Sequence, residues 1–332
     1  LNDSEASAAF YAPKEDGIRS LAAACFKAFE QGADEMDTYE LANASRLLRS
    51  AGMKKEYEQL TDSSEYTSAL KKLAKAYADD RQHERAAELY LEYARIFKEK
   101  CENSGDPDQA YEAVGGNIYA CDALRAMLDY PAAETAANAA LEIAEKFAEK
   151  FPDDQQMQRG LSVSYNKLGD IAEARNDYKA AEGYYAKALE IRERLAENFP
   201  EVPMLKDDLA VSLFRCGTCS ADGKLSPEQK AMLRSAAAIW EELYKQTGYE
   251  LYAERREIAQ NRLNQCSEQG GKNMEQKKPG FFAQLREKIR AYREMRKLVR
   301  MLKIMEKTDR KLTKAIEEAD ELIQSGETDD EE

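Results

Sequence analysis

The sequence is short of the residues on which most enzyme sites depend. Its 332 residues include one histidine, His83, and one tryptophan. Catalytic triads and most metal centres use histidine, so a single one leaves few ways to build them. There is no Gly-rich phosphate loop or dinucleotide fingerprint, and the Gly pairs at 115–116 and 270–271 indicate only local flexibility. We therefore expect no enzyme activity, no metal and no cofactor.

Helix breakers and long apolar runs are also scarce. The chain has 8 prolines and 16 glycines, whereas 43% of its residues are hydrophobic and 34% are charged. Few and scattered breakers favour a mostly helical protein with short connections. No run of about 18 apolar residues is present, so we expect no membrane-spanning segment.

The charge balance and the cysteines limit the expected partners and location of the protein. With 49 Lys and Arg against 63 Asp and Glu, the net charge of −14 argues against nucleic-acid binding by most of the chain. The first residues lack the basic and apolar regions of a secretory signal. Six cysteines in such a chain favour reduced thiols and a cytoplasmic location.

Two features that carry chemistry in other proteins are interpreted here as packing residues. Cys216 and Cys219 have the C-x-x-C spacing, but no second pair exists to complete a zinc site. We expect both to lie inside one repeat helix, unlike a redox pair at a helix start. His83 falls where Tyr130 and Tyr178 stand in later copies of a repeat, so it is expected to pack near a turn between helices.

The sequence repeats itself with a period of about 48 residues. Residues 129–163 align with residues 177–211, one more copy continues beyond them, and a looser copy covers residues 84–97. Apolar residues within each copy are spaced by three and four, which predicts two helices per copy. Such a unit cannot bury its own apolar face, so stacked copies must share a core.

Small and capping residues predict how the helices of one copy meet. Gly169 and Ala181 lie on apolar faces, where we expect them to let the two helices of one repeat approach closely, with large residues between repeats. Pro131 is expected in a first helical turn. Ser226 with Gln229 predicts a capping box at the start of another helix.

The repeat resembles the tetratricopeptide repeat, in its long bacterial variety of about 48 residues. The matching residues are Tyr165, Leu168, Gly169, Tyr178, Ala181, Tyr185 and Ala188. The resemblance implies an all-α tetratricopeptide-type α-solenoid of antiparallel helix pairs. It also implies a concave groove, lined by the first helix of each repeat, that binds a peptide or helix of another protein.

Matching of helix faces gives the candidate groove residues. They are Lys71, Lys75, Ile118, Asp122, Arg125, Asn166, Asp170, Phe214 and Thr218. Some tetratricopeptide proteins clamp a terminal carboxylate on this face, but Asp170 stands where they have an amide, which argues against that mode. The alternative is that these are ordinary solvated positions.

Composition divides the chain into five segments. We predict an N-terminal helical region with helices near 17–31 and 37–51, the repeat array, a polar linker, a basic amphipathic helix and an acidic tail. Their ranges are 1–62, 63–268, 269–280, 281–324 and 325–332. The first of them is a decayed repeat or a cap.

The basic helix has two features that predict contacts. Residues 277–314 contain 14 Lys and Arg against 4 Asp and Glu, and the basic face comprises Arg286, Arg290, Arg293 and Arg300. An apolar seam comprises Met295, Leu298, Leu302, Met305, Leu312 and Ile316. The seam favours docking on the solenoid or self-association, whereas the basic face suits an anionic membrane surface or nucleic acid.

These observations favour a protein-interaction scaffold or adaptor that binds a peptide or helix of a partner. The alternative is a regulatory or recruitment protein whose basic helix engages a membrane surface or nucleic acid.

Overall fold

The computed structural model of the chain describes residues 14–268. Backbone contacts divide the chain into residues 1–270 and residues 271–332, and residues 14–268 belong to the first of these units. The predicted basic helix, with its seam and its basic face, and the acidic tail lie outside the described residues.

Twelve α-helices and no strand make up the described part of the chain. They are α1 (Lys14–Gln31), α2 (Thr38–Ser50), α3 (Lys54–Asp62), α4 (Ser64–Asp79), α5 (His83–Ser104), α6 (Pro107–Ala126), α7 (Tyr130–Lys150), α8 (Gln155–Ala174), α9 (Tyr178–Asn198), α10 (Pro203–Thr218), α11 (Pro227–Thr247) and α12 (Glu250–Glu268). From α4 onward they form four successive pairs, followed by α12, and each helix packs on the next. The expected all-α solenoid is confirmed.

The turn inside each pair is set by residues that recur with the repeat. In three pairs a residue with a positive φ ends the turn region, and these residues are Arg81, Leu128 and Asn176. The helices that follow the last two turns begin with an aspartate cap, whose carboxylate accepts the backbone N–H three residues on. Local sequence therefore fixes where the chain reverses.

The capping signals in the sequence are confirmed. Pro131 lies in the first turn of α7, and Ser226 forms a capping box with Gln229 at the start of α11. His83 is the first residue of α5, as Tyr130 and Tyr178 are the first residues of α7 and α9. The histidine therefore occupies the repeat position that was expected.

The N-terminal helices lie close to their expected ranges, with one addition. The sequence predicts helices near 17–31 and 37–51, which correspond to α1 and α2, but α3 was not predicted. Its apolar face is short, and only Leu60 and Thr61 in it are buried. A nine-residue helix gives too few turns for a clear apolar period.

Small residues allow close contact within a repeat, as expected. A Cβ atom on Gly169 of α8 would lie 2.4 Å from the ring of Tyr185 of α9. Both Ala181 and Ala188 of α9 are 0% exposed. The Tyr185 ring therefore occupies the space that a side chain at position 169 would need.

Small residues are also required between repeats, which the sequence analysis did not anticipate. A Cβ on Gly116 of α6 would lie 3.0 Å from backbone atoms of Ala94 in α5 of the preceding repeat. Residues 115 and 116 lie inside α6, so the interpretation of this Gly pair as local flexibility is wrong. The glycine at 116 is a packing requirement instead.

The last pair departs from the others at its turn. Helix α10 ends at Thr218, and Cys219 is its C-cap with extended backbone. The expectation that Cys216 and Cys219 share one helix is therefore wrong for Cys219. The connection to α11 runs from Cys219 to Ser226, longer than the turns of the preceding pairs.

Replacement of Gly169 by alanine tests the close contact. Gly169→Ala should lower the free energy of unfolding by about 1–3 kcal/mol, because a buried Tyr185 cannot move aside. The matched control is Gly183→Ala in α9, where a Cβ meets nothing within 4 Å. That change should raise the free energy of unfolding by up to about 1 kcal/mol through helix propensity. Urea unfolding followed by circular dichroism measures both, and stabilisation by Gly169→Ala would contradict the contact.

Candidate functional site

The candidate groove residues lie on four first helices, α4, α6, α8 and α10. We call their shared surface the first-helix face. Most polar residues on it have partners in neighbouring repeats, and we call these pairs the inter-repeat ladder. It comprises Lys71 with Glu112, Asp122 with Lys167, Arg125 with Asp170, Asp170 with Arg215, and Arg159 with Asp208.

Each step of the ladder is a short charged contact between consecutive first helices. The Lys71 Nζ lies 2.6 Å from Glu112 Oε2, and the Lys167 Nζ lies 2.6 Å from Asp122 Oδ1. At the end of the array Arg255 of α12 pairs with Asp207 of α10. Every junction between first helices, from α4 to α12, therefore has at least one ion pair.

Asp170 is the centre of the ladder. Its Oδ1 accepts the Arg215 Nε at 2.8 Å, and its Oδ2 lies 3.1 Å from Arg125 Nη1 and 3.0 Å from Arg215 Nη2. The Tyr185 hydroxyl lies 3.0 Å from the same Oδ1. Burial alone would raise the pKa of Asp170, but the charges of Arg215 and Arg125 outweigh it and hold that pKa well below its usual range. The carboxylate is saturated and has no free lone pair for a ligand.

Asn166 is not presented on the first-helix face at all. It is 2% exposed, and its side-chain oxygen accepts from Nη1 and Nη2 of Arg192 at 3.2 Å. Its expected place in the groove wall is therefore wrong, because the position faces a buried polar cluster between α8, α9 and α10.

The buried cluster is organised by Arg192 of α9, which is 4% exposed. Its Nε donates to Ser162 at 3.0 Å, and its Nη1 donates to the carbonyl of Asp208 at 2.6 Å. Burial lowers the pKa of Arg192 to about 10, so it stays charged at neutral pH. Arg192 and the ladder were missed by the sequence analysis, although Arg192 occupies the repeat position of the buried Ala144 and Trp240. The sequence did contain a signal for Arg192, which is a charged residue at a repeat position that is apolar in the other copies.

The remaining candidates differ in exposure along the array. Phe214 and Thr218 of α10 are half-buried, and the Phe214 ring packs 5.9 Å from the Trp240 ring. Ile118 is half-buried and packs against the core of α6 and α7. Lys75 of α4 is exposed, and no carboxylate of the described residues pairs with it.

An aromatic side chain that the sequence analysis did not select lies next to Ile118. Tyr119 is 46% exposed, and its ring lies 5.2 Å from that of Tyr90. Beneath it, a Cβ on Gly115 would meet only the Tyr119 ring, at 4.0 Å. Gly115 therefore leaves the backbone beside Tyr119 bare, although no packing contact requires a glycine there and glycine lowers helix stability. The repeat equivalents of Tyr119 are Lys167 and Arg215, which the ladder uses.

Metal-binding groups are not assembled in the described part of the chain. No three His, Cys, Asp or Glu side chains among residues 14–268 are arranged to hold a metal ion. None of the helices in this range is long and apolar enough to cross a bilayer.

Comparisons with known proteins give only weak similarities to solved structures. No protein-family model and no curated protein matches the chain. Among solved structures, BtubC (BKLC) from P. vanneervenii is 15% identical, covers 81% of this chain and 97% of its own, and has a TM-score of 0.32. The de novo designed helical repeat protein DHR64 is 17% identical, covers 77% and 95%, and has a TM-score of 0.16. Because both TM-scores are low, neither structure indicates the function of this chain.

Loss of the Asp170 charge tests the ladder. Asp170→Asn should lower the free energy of unfolding by about 3 kcal/mol at pH 7, because two arginines lose their buried partner. The folded-state pKa of Asp170 is depressed, so its contribution is complete above the unfolded pKa of about 3.9 and is lost as the pH falls below it. The difference from the parent should therefore shrink at pH 3.

Asp153→Asn, at an exposed aspartate after α7, is the matched control and should change stability by less than about 0.5 kcal/mol at either pH. Urea unfolding at the two pH values measures all three proteins. A difference between parent and Asp170→Asn that is the same at pH 7 and pH 3 would contradict a charge-based role.

The thiols of Cys216 and Cys219, at the end of α10, provide a further test. Burial raises the pKa of the Cys216 thiol to about 12 and that of the Cys219 thiol to about 11. Because only the thiolate is nucleophilic, iodoacetamide at pH 8 should alkylate both about 100-fold or more slowly than a free cysteine. Mass spectrometry of the peptide with both residues measures the rates, and the urea-unfolded chain is the control. Fast alkylation of the folded chain, or stoichiometric zinc, would contradict a packing role.

Proposed function

We propose that the protein is a non-catalytic interaction scaffold of the tetratricopeptide type, and that it binds a segment of a partner protein on α4 and α6. The observation that carries this proposal is the uneven use of the first-helix face. On α8 and α10 the polar residues are used to hold repeats together, whereas on α4 and α6 the exposed Lys75 and Tyr119 form no ladder pair. The Tyr119 ring packs on Tyr90 with one side and is still 46% exposed. An adaptor role and a cytoplasmic location belong to the same proposal.

The two exposed groups lie at the same end of neighbouring helices. Lys71 and Glu112 join α4 to α6 at 2.6 Å. Lys75 lies one helical turn beyond Lys71, and Tyr119 lies two turns beyond Glu112, both toward the C-terminal ends. Because first helices of successive repeats run in the same direction, both groups lie on one side of this ion pair. They are the surface on which the proposed partner binds.

The chemistry of this surface selects the partner. Tyr119, the half-buried Ile118 and the bare backbone at Gly115 favour an apolar side chain that approaches closely. Lys75 favours a carboxylate on the same segment. We therefore propose a partner segment with an acidic residue next to an aliphatic or aromatic one.

The test is affinity capture by the full chain from a lysate of the cells that produce it, with quantitative mass spectrometry. Lys75→Glu with Tyr119→Ala should reduce recovery of the specific partners about 10-fold or more, since one charge is reversed and one aromatic anchor is removed.

The matched control uses the same residue types on exposed sites elsewhere. Lys179→Glu lies on α9, and Tyr249→Ala lies before α12, where Tyr249 is 52% exposed and contacts Tyr252. This double variant should recover the partners as the parent does. Equal loss in both variants, or no loss in either, would show that α4 and α6 are not the binding surface.

A further inference from the structure

A second surface lies away from the first-helix face, between the N-terminal helices and the first repeat. It is a cleft of about 440 Å³ between α2, the end of α4 and the first half of α5. Its lining comprises Thr38, Tyr39, Ala42, Asn43, Arg46, Tyr77, Arg85, Glu88, Leu89 and Glu92. We call it the α2–α5 cleft.

Glu92 joins the two walls of the α2–α5 cleft at its floor. The Glu92 carboxylate accepts the Ser45 hydroxyl of α2 at 2.6 Å and the Arg95 Nε of α5 at 2.9 Å, and Arg49 of α2 lies 3.8 Å away. Burial would raise the pKa of Glu92, but the hydrogen bonds from Arg95 and Ser45 outweigh it and lower that pKa. Glu92 is therefore occupied, and it holds the two walls of the cleft at a fixed separation.

Two arginines on the walls lack such a partner. Arg46 of α2 donates a hydrogen bond from Nη2 to Asn43 Oδ1, and Arg85 of α5 lies 3.3 Å from Gln82 Oε1 and 5.5 Å above the Tyr77 ring. Within residues 14–268 no carboxylate forms an ion pair with either guanidinium. In a chain with a net charge of −14, two exposed arginines without an acidic partner, on facing helices, are a feature that packing does not require.

We propose that the α2–α5 cleft binds an acidic segment of a partner protein, with a carboxylate between Arg46 and Arg85 and an adjacent apolar side chain against Tyr39 and Tyr77. Guanidinium groups bind carboxylates through paired N–H donors. The rings of Tyr39 and Tyr77, together with the buried Leu89, supply the apolar wall. This proposal is independent of the function proposed for α4 and α6.

The exposure of the walls favours a chain segment over a small molecule. Tyr39 is 54% exposed, and both arginines are exposed. Small-molecule sites enclose most of their ligand, whereas these walls leave an extended chain free to enter and leave the cleft. A nucleic acid is disfavoured, because a polyanion would be repelled by the net charge of the chain.

Glu88 allows a test in which the expected change in affinity is an increase. It is exposed on α5, one turn from Arg85, and lines the same cleft. Its charge opposes a ligand carboxylate, so Glu88→Gln should strengthen binding of an acidic segment by about 2- to 5-fold. Replacement of the arginines should have the opposite effect.

The probe is an array of peptides with a Gly-Ser background, each of which contains Asp or Glu next to Leu, Ile, Phe or Tyr. Beside each acidic peptide the array carries the same peptide with Asn in place of Asp, or Gln in place of Glu. The full chain should bind acidic spots more strongly than amide spots. Arg46→Ala with Arg85→Ala should abolish that preference, and anisotropy with the strongest labelled peptide should show a loss of about 10-fold or more.

The control removes two exposed cations elsewhere, Lys179→Ala with Arg234→Ala, which have no ion pair with a carboxylate of the described residues. It should keep the acidic preference and the peptide affinity. Circular dichroism checks that each variant is folded. Any one of three results would overturn the proposal. The parent chain could bind acidic and amide spots equally, or the arginine variant could keep the affinity of the parent for the peptide. Free 4-hydroxyphenylacetate could also displace the peptide at the same concentration.

Discussion

The contact between Tyr185 and the backbone at Gly169 connects the packing of one repeat to the ion pairs between repeats. The ring fills the space where a side chain at 169 would stand, and its hydroxyl reaches the neighbouring Asp170 at 3.0 Å. Asp170 in turn holds Arg125 of the preceding repeat and Arg215 of the following one. The spacing of two helices within one repeat thus fixes a carboxylate that sets the positions of two neighbours.

This arrangement explains why residues of the first-helix face have different roles along the array. On α8 and α10 they hold repeats together, whereas Lys75 on α4 and Tyr119 on α6 form no ladder pair. A buried ion pair gains less than its contact energy suggests, because both charges lose hydration. Removal of one partner is costly, however, so Asp170, Asp208 and Arg192 favour one register of the repeats over others. A side chain whose polar atoms are all used to fix the register of the repeats has no hydrogen-bonding atom left for a ligand. The binding that we propose on α4 and α6 would use residues that form no ladder pair.

The sequence was sufficient to predict the features that depend on local chemistry. The helix pairs, Pro131 in a first helical turn, the capping box at Ser226 and the small residue at Gly169 all follow from residue type and from spacing within one repeat. The ladder was not predictable in the same way, since its partners lie 41 to 49 residues apart and depend on the rotation of one repeat against the next. The groove candidates were assigned by helix face alone, and this placed the buried Asn166 on the surface. The end of α10 was missed because Thr218 and Cys219 do not break a helix by themselves.

Helix α4 contributes to both of the surfaces for which binding is proposed. Lys75 belongs to the first-helix face and Tyr77 to the α2–α5 cleft, and two residues along an α-helix rotate a side chain by about 200°. The helix is fixed on one side by Lys71 with Glu112, while Glu92 and Ser45 hold α5 and α2 on the other. Both surfaces are therefore built on elements that ion pairs already hold in place. A partner that bound at either of these proposed surfaces would meet preformed walls, so little of its binding energy would be needed to order them.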